Sequence, residues 1–93
     1  MNMKVLYELL TSSKFKRELD KFVKNNKLRA NAVKKTFKLF INNPQSPGLN
    51  IEKITNEVWT IRIDKAHRIF FTFVDDQKIL LIDMGKHDKY RLH

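Results

Sequence analysis

The chain changes its hydrophobic period once, near residue 58, and that switch limits the folds open to it. Phe15, Leu19, Phe22 and Val23 recur at helical spacing and make one apolar stripe. Ser12 or Ser13 can cap the start of this helix, and Asn25 and Asn26 end it. Val33, Phe37, Phe40 and Ile41 repeat the spacing and predict a second helix over about 28–41. Asn42, Asn43 and Pro44 stop it, and Gln45 to Asn50, with Pro47 and Gly48, is loop. From Val58 the period is two: Trp59, Ile61 and Ile63 alternate with Thr60 and Arg62. His67 to Val74 is aromatic and β-branched, and Ile79 to Met84 follows a turn at Asp75, Asp76 and Gln77. Lys4 to Leu10 can form a first strand. The order is strand, helix, helix, then three strands (β-α-α-β-β-β). That is an α+β chain with both helices on one face of an antiparallel sheet, and residues 1–93 read as a single domain.

Strand register then decides which side chains meet, because a slip of one residue flips every side chain. If Asp64, Lys65 and Ala66 are a hairpin loop, Ile63 faces His67, Arg62 faces Arg68, Ile61 faces Ile69 and Trp59 faces Phe71. One face becomes apolar throughout, while a slip by one mixes Arg68 with Ile63. With a turn at Asp76 and Gln77, Phe73 faces Leu80, Phe71 faces Ile82 and Ile69 faces Met84. The core face is then Trp59, Ile61, Ile69, Phe71, Leu80 and Ile82, packed on Phe15, Leu19, Val33 and Phe37. The opposite face carries Arg62, Arg68, Phe70 and Asp83, with His87 two residues beyond Gly85.

Two arginines opposite each other repel, so something must compensate. Either Asp83 neutralises one and the other reaches into solvent, or the pair holds a phosphate, whose geometry guanidinium groups match. Charge bears on the choice. The net charge is +9. Residues 1–43 hold 11 Lys and Arg against 3 Asp and Glu, whereas residues 44–93 hold 8 against 7. A surface so one-sided suits a polyanion, whether RNA, DNA or an acidic protein, or serves solubility alone.

Other classes are excluded more simply. There is no cysteine, so no disulfide framework or thiolate metal site, as a reducing cytoplasm permits. No apolar run approaches the roughly 20 residues of a membrane span, and Lys4 and Glu8 break up any signal peptide. The three histidines, 67, 87 and 93, form no ligand motif and no carboxylates cluster with them, so no metal is expected. Two glycines in all leave no phosphate-binding glycine loop.

Among the remaining polar groups, His87 follows Gly85 and Lys86 and can act as a general acid or base near neutral pH, or it is a surface histidine. Lys86 and Lys89 can steer phosphates or simply be solvated. Tyr90 can stack on an unpaired base or cap the edge of the core. His67 ends the core face, which suits a structural or orienting role. Asp64 suits a turn for backbone reasons.

The ordered set Gly48-Leu49-Asn50-Ile51-Glu52-Lys53-Ile54, Trp59-Thr60-Ile61-Arg62-Ile63, His67-Arg68-Ile69-Phe70-Phe71, Ile79 to Asp83 and Gly85-Lys86-His87-Asp88-Lys89-Tyr90 resembles the RelE/ParE toxin superfamily, in particular its RelE/YoeB/YafQ-like mRNA interferase branch. The resemblance covers nearly the whole chain. It implies a curved antiparallel sheet, a cognate acidic antitoxin that covers the active groove, no cofactor, and cytoplasmic action; a homo-oligomer is compatible with it. It implies an endoribonuclease that cuts mRNA in the ribosomal A site without metal, by attack of the 2′-hydroxyl on the adjacent phosphate. Carried over by position, Arg62, Arg68 and His87 are the catalytic residues and Tyr90 lies near the C-terminal aromatic, so Tyr90 is expected to contact RNA, together with Lys65, His67 and Lys86 beside the site. Thr60 stands where RelE has a lysine. Gyrase-directed ParE members share the scaffold, and a non-catalytic basic module that binds RNA or protein is the third reading.

Overall fold

The computed structural model describes residues 7–86 and 88–89. The first strand, β1, is Glu8–Thr11, followed by helices α1, Ser13–Val23, and α2, Lys27–Asn42. A short 3-10 turn at Pro47–Leu49 leads to β2, Glu52–Lys53, then β3, Trp59–Arg62, β4, His67–Phe73, and β5, Lys78–Lys86. The sheet is open, with strand order β1-β5-β4-β3-β2. β2 to β5 pair antiparallel, and β1 joins β5 in parallel. The sheet is therefore mixed, and β2 is a fifth strand in a stretch to which the sequence pattern assigned no element. Residues 4–6 of the anticipated first strand lie outside the described residues.

The helix ends have local causes. The Ser12 hydroxyl accepts from the Phe15 amide at 2.9 Å and caps α1. Asn26 caps α2 by accepting from the Arg29 amide at 3.0 Å. Between them Asn25 takes the left-handed conformation, φ 53°, which asparagine tolerates better than most residues. Both helices lay their apolar stripes on one face of the sheet. Phe15, Phe22, Val33 and Phe40 pack with Leu49, Ile61, Ile69, Phe71, Ile79, Leu81 and Met84 in one buried cluster.

The β3–β4 register is the one the hydrophobic pattern requires: Trp59 opposes Phe71, Ile61 opposes Ile69, and Arg62 opposes Arg68. β5 departs from expectation. Ile69 opposes Met84 and Phe70 opposes Asp83, but Phe71 opposes Leu81 and Phe73 opposes Ile79, with an irregularity between Phe70 and Phe71. Ile82 is the extra residue of a β-bulge. Its carbonyl accepts the Ser12 hydroxyl at 2.9 Å, so the helix cap also satisfies the displaced strand backbone. The core residues of β5 are thus Ile79 and Leu81, and the expected Leu80 and Ile82 are only half-buried. Ile79-Leu80-Leu81-Ile82 is apolar at every position, so alternation could not distinguish one register from the other.

Candidate functional site

Two cross-strand rows build the face turned away from the helices. Glu52, Thr60, Phe70 and Asp83 are successive partners across β2, β3, β4 and β5. In the next row Arg62 opposes Arg68, and Arg68 opposes Gly85. Directly opposed residues of antiparallel strands share a face, so both arginines lie on the same side, as the register argument required.

The two arginines differ in environment. Arg62, at the end of β3, is exposed. Arg68 is only 5% exposed and runs diagonally over β3. Its Nη1 donates to the Asn50 carbonyl at 3.0 Å and to the Thr60 hydroxyl at 2.9 Å. Its Nη2 lies 3.7 Å from a Glu52 carboxylate oxygen. Turning toward β2 takes the Arg68 charge away from Arg62, which is how the sheet tolerates the opposed pair. A carboxylate that faces Arg68 is Glu52.

Asp83 meets two lysines. It is fully buried, and its Oδ2 lies 3.1 Å from Lys14 Nζ and 3.0 Å from Lys89 Nζ. The Met84 amide also donates to Oδ1 at 2.8 Å. The Lys89 stem lies over Gly85, where a Cβ would come within 2.6 Å of Lys89 Cδ. The Lys89 amide donates to the Lys86 carbonyl at 3.0 Å, which ties Lys89 back to the end of β5. The expected catalytic His87 and the expected base-stacking Tyr90 lie outside the described residues.

Of the remaining expected RNA contacts, His67 and Lys86 line the helix side of the sheet. Lys65 is exposed in the β3–β4 turn. His67 and Lys86 oppose each other one row beyond Arg68 and Gly85. The His67 ring meets Phe22 of α1 edge-on at 4.8 Å, which places it on the helix side of the sheet. Its Nδ1 lies 3.0 and 3.2 Å from the two Asp64 oxygens. Asp64 Oδ1 also accepts from the Ala66 and His67 amides, both at 2.8 Å. Partial burial pushes the Asp64 carboxyl up, but these hydrogen bonds and the His67 ring outweigh it and hold the group below the usual carboxylate range. The orienting role expected of His67 thus has a partner, the turn aspartate.

Sequence reasoning missed Glu52. It sits outside any periodic segment, and only the pairing of β2 with β3 brings it to Arg68; no local signal marks it. Together Arg68, Arg62 and Glu52 offer two guanidinium groups for a phosphate and one carboxylate able to accept a proton. Among the described residues no three His, Asp or Glu side chains gather as a metal-ligating group, and no helix is long and apolar enough to cross a membrane.

No protein-family model and no curated protein matches the sequence. Solved structures do match the fold. YafQ from E. coli strain BL21(DE3) superposes with a TM-score of 0.71 at 15% identity, over 87% of this chain and 93% of that one. A chain of the E. coli DinJ-YafQ toxin-antitoxin complex gives 0.72 at 13% identity, over 92% and 98%. A chain of the YoeB-YefM complex from Staphylococcus aureus gives 0.68 at 22% identity, over 87% and 97%. At such identities the likeness is one of fold, and the fold is the one that YafQ and YoeB share.

Proposed function

We propose that this chain is the toxin of a type II toxin–antitoxin pair, an endoribonuclease that cleaves mRNA in the ribosomal A site and so stops translation in the bacterial cytoplasm. The observation that supports it most is Arg68, anchored by Thr60 and Asn50 beside Arg62 and Glu52 on one sheet face, within a fold shared with YafQ and YoeB.

Cleavage by an internal nucleophile needs alignment, proton transfer and neutralisation of the added phosphorane charge. The 2′-oxygen bonds to phosphorus and its proton passes to a base, a role assigned here to Glu52. The bond from phosphorus to the 5′-oxygen breaks, and His87 protonates that oxygen. A 2′,3′-cyclic phosphate and a 5′-hydroxyl result. Arg68 and Arg62 stabilise the phosphorane, Arg68 at little reorganisation cost because protein acceptors already hold it. Tyr90 holds a base by stacking. No step requires a metal. The partner is an acidic antitoxin, in keeping with the complexes in which DinJ-YafQ and YoeB-YefM were solved.

The test is single-turnover cleavage on programmed ribosomes, with EDTA at a level that leaves the ribosomes intact. Ribosome-phased cuts, a cyclic phosphate end and a rate indifferent to EDTA are expected. His87→Gln keeps size but removes titration and should lose about 10²–10⁴ in rate. DNA breaks in induced cells without mRNA cuts would instead mark a gyrase-directed protein.

A further inference from the structure

Behind the arginine face, at the same end of the sheet, a cavity of about 260 Å³ opens between α1, α2 and the β4–β5 pair. Its walls include Lys21, Phe22, Arg29, His67, Lys86 and, as the acidic group, Glu18. The charge is unbalanced, with three permanent cations against one carboxylate that is 3.8 Å from Lys21. Arg29 is fixed in place. Its guanidinium lies 4.5 Å from the Phe22 ring centroid, and Nη1 donates to the Phe22 carbonyl at 3.3 Å. That uses one of its five N–H donors. His67 is fixed as well, because Asp64 engages Nδ1. The nitrogen left to a ligand is Nε2, which donates when the ring is protonated.

We propose that this cavity binds a phosphodiester of the RNA strand that flanks the cleaved linkage, with His67, Arg29 and Lys86 as its donors. The inference rests on the nuclease reading and adds a second phosphate position to it. Continuity supports the substrate strand as the occupant. His67 and Lys86 form the row immediately beyond Arg68 and Gly85, so a strand leaving Arg68 over the end of the β4–β5 pair reaches the mouth of the cavity next. A histidine oriented by a carboxylate and flanked by cations suits a phosphate, because His67, Arg29, Lys21 and Lys86 all donate, against repulsion from Glu18 in the wall and Asp64 behind the ring. The charged groups around His67 are Asp64 from its own hairpin, Glu18 and Lys21 from α1, Arg29 from α2 and Lys86 from β5.

The test uses the full chain and a short single-stranded RNA with 2′-O-methyl riboses throughout, which cannot be cleaved by 2′-hydroxyl attack. The ring nitrogens of His67 are followed by NMR as the RNA is added, and affinity is measured across a salt series. Expected are a shift of the His67 signals and tighter binding at about pH 6 than at about pH 8, a difference that His67→Gln abolishes. Lys86→Gln, at an exposed position, should weaken binding about two- to fivefold. Arg29→Gln should weaken it about tenfold or more. Each should lower the slope of log K against log salt by roughly 0.7, the value for one single-strand phosphate contact. Unmoved His67 signals with unchanged slopes in both variants would overturn the inference. A shift produced by poly-glutamate but not by RNA would also overturn it and assign the cavity to an acidic protein. Binding here is read without cleavage, so failure of the nuclease reading would show separately, as an unmodified RNA that the wild-type chain leaves intact on ribosomes.

Discussion

Arg62 and Arg68 face each other in the sheet yet do different physical work. Arg68 is buried among Asn50, Thr60 and Glu52, so removing it strands acceptors as well as a charge. Arg68→Ala should cost about 1–3 kcal/mol of stability and about 10²–10³ in cleavage rate. Arg62 is exposed, so Arg62→Ala should change stability by no more than about 0.5 kcal/mol while still slowing cleavage. Urea melts beside single-turnover rates check both; an Arg62 variant as unstable as the Arg68 variant would contradict the assignment. Asp64 makes a separate prediction. Its folded-state carboxyl titrates below its unfolded value, so its stabilisation is complete above about pH 5 and is lost as pH falls below about 4 through the lowered folded value. Asp64→Asn should therefore be less stable than wild type at pH 7, and the two should converge as pH falls through the lowered folded value. Parallel melting curves across that range would show that the turn carboxylate carries no such linkage.

At the scale of elements, β5 does the most to organise the proposed site. It lies between β1 and β4, and its bulge turns Ile79 and Leu81 inward while Asp83 stays on the arginine face. The end of β5 is held by a clip: Lys89 passes over Gly85 and reaches the buried Asp83 carboxylate. An added methyl at Gly85 and the loss of the Lys89 ammonium should break the same contact. Gly85→Ala and Lys89→Met should each destabilise by about 1–2 kcal/mol, since Lys14 remains on Asp83. The double variant should be no worse than the more damaging single one by more than about 0.5 kcal/mol. Full additivity in a double-mutant cycle would mean that the two residues act separately.

The whole molecule carries +9, most of it from the half that forms α1 and α2. The proposed antitoxin should therefore associate quickly at low salt and more slowly as ions screen the attraction, whose range is about 8 Å at physiological ionic strength. Stopped-flow association with the acidic product of the neighbouring reading frame, at rising sodium chloride, checks this. A rate indifferent to salt would remove electrostatic steering, and a neighbour that never binds would count against the toxin reading itself.

Periodicity, caps and turn residues were enough to read two helices, the β3–β4 hairpin and the shared face of Arg62 and Arg68, because each follows from spacing within a short stretch of chain. The β5 register was not legible. Four consecutive apolar residues satisfy either alternation, and the choice was made by a bulge whose carbonyl bonds to Ser12, 70 residues away in sequence. The parallel placement of β1 beside β5 is long-range in the same sense. The charge partners were hidden for the same reason: only tertiary packing brought Lys14 and Lys89 to Asp83 and Glu52 to Arg68. A side chain's type determines what it can bond to. Which partner it meets depends on where the strands lie, and that was decided only when the sheet assembled.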